Sequence, residues 1–88
     1  MRRRVIVHGS VQGVGFRLAV ARAAEARGVA GWVRNRADGA VEVVFEGEPE
    51  PVESLLHFCA QGPRGAAVTR VEVVDEGQPE GHSRFVIR

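Results

Sequence analysis

The feature that most limits the fold is the order in which apolar spacing switches between two residues and about three and a half. Arg3 to His8 alternates, with Val5 and Val7 pointing one way and Arg4, Ile6 and His8 the other. That pattern predicts a half-buried strand. From Phe16 to Arg27 there is no Gly or Pro, and Ala, the best helix former, dominates. Phe16, Val20, Ala23, Ala24 and Arg27 form one helical stripe. Its apolar members are mostly small, so this helix can lie close to a sheet. Arg27 suits the negative end of the dipole and Gly28 the C′ position. Val29 to Arg36 reads as a second strand, with Trp32 and Arg34 on one face and Val33 and Asn35 on the other. Asp38-Gly39 favours a tight hairpin into a third strand, Val41 to Glu46. There Val41, Val43 and Phe45 point inward. Glu42 and Glu46 point outward, where they can pair with arginines of neighbouring strands for under about 1 kcal/mol each.

Gly47 to Pro51 breaks that strand and opens a second helix, since Pro and Glu both suit a first turn. Val52, Leu55, Leu56 and Cys59 give it an inward stripe, and Gly62-Pro63 ends it. Ala67 to Glu76 reads as a fourth strand with Thr69, Val71 and Val73 on one face. Gly77 to Ser83 reads as a polar turn, and Arg84 to Arg88 as a short fifth strand. The order is β-α-β-β-α-β plus a terminal strand. It predicts an α+β, ferredoxin-like split βαβ sandwich, an antiparallel-rich sheet with two helices on one face. Right-handed crossovers place the first and third strands in the centre, and the other sheet face stays open.

Composition narrows the function classes. The 88 residues make one domain, 1–88, with a single modest core. At 44% hydrophobic and 26% charged, the chain reads as globular rather than disordered. A net charge of +1 gives no reason to expect nucleic acid or an anionic membrane as partner. No apolar run is long enough for a bilayer span or a signal-peptide core, so a cytoplasmic monomer is expected. The single cysteine, Cys59, excludes an internal disulfide and a cysteine-rich metal site. His8, His57 and His82 lie far apart in sequence and read as surface or partly buried residues, not ligands or bases. No cofactor is implied.

The chemistry concentrates in Val7-His8-Gly9-Ser10-Val11-Gln12-Gly13-Val14-Gly15-Phe16-Arg17. Glycines between a strand and a helix mark a plain turn more often than an anion site. Here they open a helix whose first N–H groups lack acceptors, and an arginine closes the stretch. Together these describe a phosphate pocket formed by Gln12, Gly13, Val14, Gly15, Phe16 and Arg17, with Arg17 as a charged fork. The spacing is neither a Walker loop nor a dinucleotide fingerprint. In a split βαβ sheet the second strand runs parallel to the first, so Asn35 emerges at the same end as this loop. Trp32 fits sheet packing, and Arg34 and Arg36 fit a solvated strand face.

Over nearly its whole length the chain resembles the acylphosphatase family. The first motif is the stretch Val7 to Arg17. The second is Gly31-Trp32-Val33-Arg34-Asn35, continuing through Gly39 and Val41 to Gly47. The resemblance implies that Arg17 binds the substrate phosphate and Asn35 orients the attacking water. It implies hydrolysis of an acyl phosphate to a carboxylate and inorganic phosphate, without metal or cofactor. The residues fit that chemistry independently. A carboxylate is a weak base and leaves without a strong general acid, and a loose phosphoryl-transfer transition state needs positioning and charge. Both motifs lack a general base, which leaves the substrate's own phosphate to accept the proton. Ala19 and Arg27 depart from the family pattern, where larger residues and leucine are common.

Two rivals follow. One is a phosphate- or carbamoyl-phosphate-binding module without turnover, as occurs at the front of larger carbamoyl-transfer maturation proteins; an end at Arg88 favours a free-standing enzyme. The other is an RNA-binding ferredoxin-like domain, which needs aromatics on the open sheet face. The absence of Tyr ranks it last.

Overall fold

A computed structural model describes all of residues 1–88. The elements are β1 (Arg2–Ser10), α1 (Phe16–Ala26), β2 (Ala30–Asn35), β3 (Val41–Glu46), α2 (Pro49–Gln61), β4 (Ala67–Asp75) and β5 (Phe85–Ile87). They form one five-stranded sheet in the order β4-β1-β3-β2-β5. β3 is antiparallel to both β1 and β2, and β5 is parallel to β2. This is the split βαβ arrangement with β1 and β3 central. No helix is long and apolar enough to cross a membrane.

The core lies between the helices and one sheet face. Phe16, Val20 and Ala24 of α1 and Val52, Leu55 and Cys59 of α2 pack onto Val5, Val7, Val33, Val41, Val43 and Phe45. Phe45 also stacks on Phe85 with ring centroids 5.8 Å apart, which seats β5 at its edge. Burial pushes the Cys59 thiol up to about 12, so Cys59 is a packing residue and not a nucleophile. Arg27 leaves the buried stripe at the end of α1. It donates to Ser54 Oγ (3.0 Å) and to the carbonyl of Ala23 (3.0 Å), joining the two helices at the surface.

Three details differ from the sequence reading, each for a local reason. First, Thr69 does not share the face of Val71 and Val73. The β1–β4 register shifts at His8/Gly9, where Arg70 and Val68 pair with consecutive residues and Thr69 is bulged out. Past the bulge Val68 takes the place of Thr69 and packs on the core with Val71, while Val73 on the same face stays exposed. Gly9 makes this possible: its φ is +126°, and a Cβ there would stand 2.1 Å from the carbonyl oxygen of Ala67.

Second, residues 76–84 do not make a compact turn. β4 and β5 are opposite edges of the sheet, so this segment crosses its full width. Glu46 fastens it midway. Its carboxylate accepts N–H groups from Glu80 (2.9 Å), Gly81 (3.2 Å) and His82 (3.2 Å), and it pairs with Arg2.

Third, the sheet face away from the helices is not open. Glu42, Val44, Glu46 and Trp32 are all buried there. The crossing segment covers part of this face and arginines cover its centre, while Val74 and Val86 on the edge strands stay exposed. Glu42 pairs with Arg4 and takes Arg34 through both Nε (2.7 Å) and Nη2 (2.6 Å). The guanidinium groups of Arg88, Arg4 and Arg34 lie 4.5, 5.7 and 5.9 Å from the Trp32 ring. The strand glutamates are thus far more enclosed than exposed cross-strand pairs.

Burial alone pushes the Glu46 carboxyl up, but the N–H groups of Glu80, His82 and Gly81 and the Arg2 guanidinium outweigh it and hold it below the usual glutamate range. A depressed folded value contributes stability that is complete above the unfolded value, about 4.3, and lost as pH falls through the folded one. The urea midpoint of the protein should stay level from neutral pH to about 5 and then fall. Glu46→Gln should cost roughly 1–3 kcal/mol at neutral pH and flatten the acid limb. Identical acid limbs in the two proteins would contradict this account of the carboxylate.

Candidate active site

β1 and β2 flank an antiparallel strand and so run the same way, and β5 follows β2. Their C-terminal ends therefore emerge together. The end of β1 leads into the glycine loop, the end of β2 is Asn35, and the end of β5 is Ile87. Asn35 lies across Val41 from Val7, and Val7 and Val41 face the helices. Side-chain alternation gives Asn35 that same face, so its amide sits in the layer that contains the start of α1.

α1 begins without a side-chain cap. Its N-cap is Gly15, in the left-handed region at φ 76°, ψ 21°, where a residue with a Cβ is strained. The first helical hydrogen bond runs from the Ala19 N–H to the Gly15 carbonyl at 3.0 Å. None of the main-chain N–H groups from Gly13 to Leu18 donates within the chain, and the first turn carries no acidic residue. The positive end of the helix is thus left uncompensated, with several donors facing one space.

That space is a cleft of about 190 Å³ lined by Gly13, Gly15, Phe16, Arg17 and Asn35, together with Val11, Leu18 and Ile87. Of the positions assigned to substrate binding from sequence, Gly13, Gly15, Phe16 and Arg17 line the cleft, and Asn35 joins them. Gln12 and Val14 do not. Val14 packs against the core. The Gln12 amide donates to the carbonyls of Arg36 (2.8 Å) and Ala40 (3.0 Å), and so ties the loop to the β2–β3 hairpin beside Asn35. Arg17 is held by a single bond, from Nη1 to the main-chain oxygen of Arg88 at 2.9 Å. Arg88 is fixed in turn by its N–H on the Val33 carbonyl (2.8 Å) and by its guanidinium over Trp32.

The sequence reading leaves out Leu18, Ile87 and the Arg88 oxygen. Ile87 was legible as the inward partner of Phe85 on β5, but its place at the cleft depends on the parallel β2–β5 pairing. Leu18 falls off the buried stripe of α1, which was the only sign of it. Arg34 and Arg36 stay outside the cleft, on Glu42 and on Asp38 (3.0 Å).

The structure also gathers Glu46, Glu80 and His82, whose potential ligand atoms lie within 4.8 Å of one another. Glu46 already accepts from Arg2 and three N–H groups there. A cation would have to share that carboxylate with a guanidinium, so the donor set suits a latch and not a metal centre.

Residues 3–87 match the family profile described as Acylphosphatase, and the chain belongs to that family. An acylphosphatase of Thermococcus kodakarensis is 52% identical over 87 residues, which span 99% of this chain and 94% of that one. The crystal structure of acylphosphatase from Bacillus subtilis superposes with a TM-score of 0.95 at 42% identity, covering 99% of this chain and 97% of that one. The chain also superposes on T. kodakarensis HypF, with a TM-score of 0.84 and 33% identity, covering 100% of this chain but 12% of that one. The family is one of hydrolases, and its fold is the one described above.

The Gln12 bridge carries an expectation. Gln12→Ala removes the amide from two carbonyls and frees the loop from the hairpin. Affinity for inorganic phosphate should fall by roughly fivefold, the equivalent of one net hydrogen bond. An NMR titration measures this, and an unchanged dissociation constant would assign Gln12 no part in holding the loop.

Proposed function

We propose that the chain hydrolyses acyl phosphates to a carboxylate and inorganic phosphate. The observation that carries this reading is that Arg17, Asn35 and the acceptor-free N–H groups of the glycine loop face one small cleft. The phosphoryl oxygens occupy the loop and take the Arg17 guanidinium, which neutralises charge on the equatorial oxygens. Asn35 holds a water through its amide oxygen, in line with the bond that breaks. The water oxygen bonds to phosphorus as the bond from phosphorus to the acyl oxygen opens. The electron pair leaves on the carboxylate, and the water's proton passes to a phosphate oxygen. The weakly basic leaving group needs no general acid, and the cleft presents none.

The superposition on part of T. kodakarensis HypF supports a second reading, a phosphate-binding module without turnover. The first is favoured because the chain matches the T. kodakarensis and B. subtilis acylphosphatases over 94% and 97% of their lengths.

Purified protein in a chelator should release phosphate from benzoyl phosphate. Phosphate binding with no release would favour the module. Arg17→Gln should reduce kcat/KM by at least ~10²-fold with the fold intact by circular dichroism. Asn35→Ala should lower kcat by a similar factor while KM changes little, because it orients water and not substrate. Full activity in either variant would remove the role assigned to that residue.

A further inference from the structure

A larger cavity opens beside the cleft. It is a groove of about 800 Å³ between the flank of α1 and β5. Leu18 and Ile87 line both spaces, so the groove continues the cleft from the point where the phosphoryl pocket ends. On α1, Leu18, Ala21, Arg22 and Glu25 line it in turn, at i, i+3, i+4 and i+7, which is one flank of the helix over roughly 10 Å. The other wall is β5 followed back from Ile87 to Arg84, again roughly 10 Å. Next to the cleft the apolar side chains are Leu18, Ala21 and Ile87; Val86, level with Trp32, turns its side chain to the other sheet face and lines the groove with main chain only. The charged residues stand toward the far end. Leu18 and Ile87 are 47% and 43% exposed. One such residue needs no explanation, but two on facing walls, where a groove opens onto a charged pocket, mark a binding surface.

The cleft accounts for the phosphoryl half of an acyl phosphate and leaves the acyl half unplaced. We propose that this groove holds the acyl group, and that the enzyme prefers acyl phosphates whose acyl group is an aromatic ring or a short alkyl chain over acetyl or carbamoyl phosphate. The inference rests on the reading of the cleft given above. Continuity decides the occupant. A substrate held at Arg17 projects its acyl carbon past Leu18 and Ile87, which are the first apolar surfaces it meets. Acetyl and carbamoyl groups end at that junction, whereas a ring covers Leu18 and Ile87 more fully, reaches Ala21, and removes their surface from water.

The test uses two phosphonates in which a methylene replaces the bridging oxygen, so that neither can be hydrolysed. Phenacylphosphonate carries the ring and acetonylphosphonate carries a methyl group. Phenacylphosphonate should bind at least about tenfold more tightly, in competition with inorganic phosphate. It should shift the amide resonances of Ala21, Arg22 and Val86, and acetonylphosphonate should leave them in place. Ala21→Glu keeps a good helix former and puts a carboxylate in the groove. It should bring the two affinities to within about twofold. Ala21→Leu, which narrows the groove without adding charge, should act in the same direction and covers the case of a misfolded Ala21→Glu. In turnover, both variants should lower the ratio of kcat/KM for benzoyl phosphate to that for acetyl phosphate. Equal affinities for the two phosphonates in the unaltered protein would overturn the groove assignment while leaving the cleft intact. Tighter phenacylphosphonate binding without turnover of any acyl phosphate would overturn the hydrolase reading while leaving the groove as an acyl site. Concentration-dependent dimerisation that shifts the groove resonances without ligand would give the surface to a second copy of the chain and overturn the proposal.

Discussion

The position of β3 between β1 and β2 is the constraint on which the rest depends. Because β3 runs against both neighbours, β1 and β2 point the same way although they never touch. The glycine loop and Asn35 are thereby delivered to one end of the sheet. They are far apart in sequence, yet only the width of one strand separates their parent strands. β5 adds a third end by pairing parallel to β2. The candidate site is therefore a property of strand order first and of residue chemistry second. Residues of the right kind on a different sheet order would not meet.

Charge organises the opposite face. Glu42 and Glu46 sit on the central strand and draw Arg2, Arg4 and Arg34 over the sheet. Trp32, between Val44 and Val86 on its face, is covered by guanidinium groups. The same carboxylate at Glu46 anchors the segment that carries the chain from one edge of the sheet to the other. That anchor joins the Gly31 N–H on the Arg84 carbonyl and the Phe45–Phe85 stack in setting the entry to β5, and β5 and the residue after it supply Ile87 and the Arg88 oxygen to the site. The two faces of the sheet are therefore coupled through β5.

Much of this was legible in the sequence. Alternating valines gave the strands, the alanine-rich run gave α1, and the element order gave the sheet. The meeting of Arg17 with Asn35 followed from topology alone. The bulge at Thr69 was not legible, because Thr69, Val71 and Val73 alternate without a break; the shift is decided by the close approach at Gly9 on another strand. The path of residues 76–84 was also hidden, since a segment without periodicity takes its course from its partner, here the Glu46 carboxylate. Burial of that carboxylate could not be read from a strand pattern that assigns glutamates to solvent. Leu18 and Ile87 escaped because a cleft wall is formed by two elements together, and neither side chain carries chemistry of its own.

The acceptor-free N–H groups at the start of α1 have one more consequence. On the proposed reading, main-chain donors and a guanidinium recognise a phosphoryl group, and substrate and product share that group. Such a cradle has no means of its own to release what it has made, and product inhibition is built into it. Discrimination between reactant and product has to come from outside the cradle, from surfaces that only the intact acyl phosphate can reach.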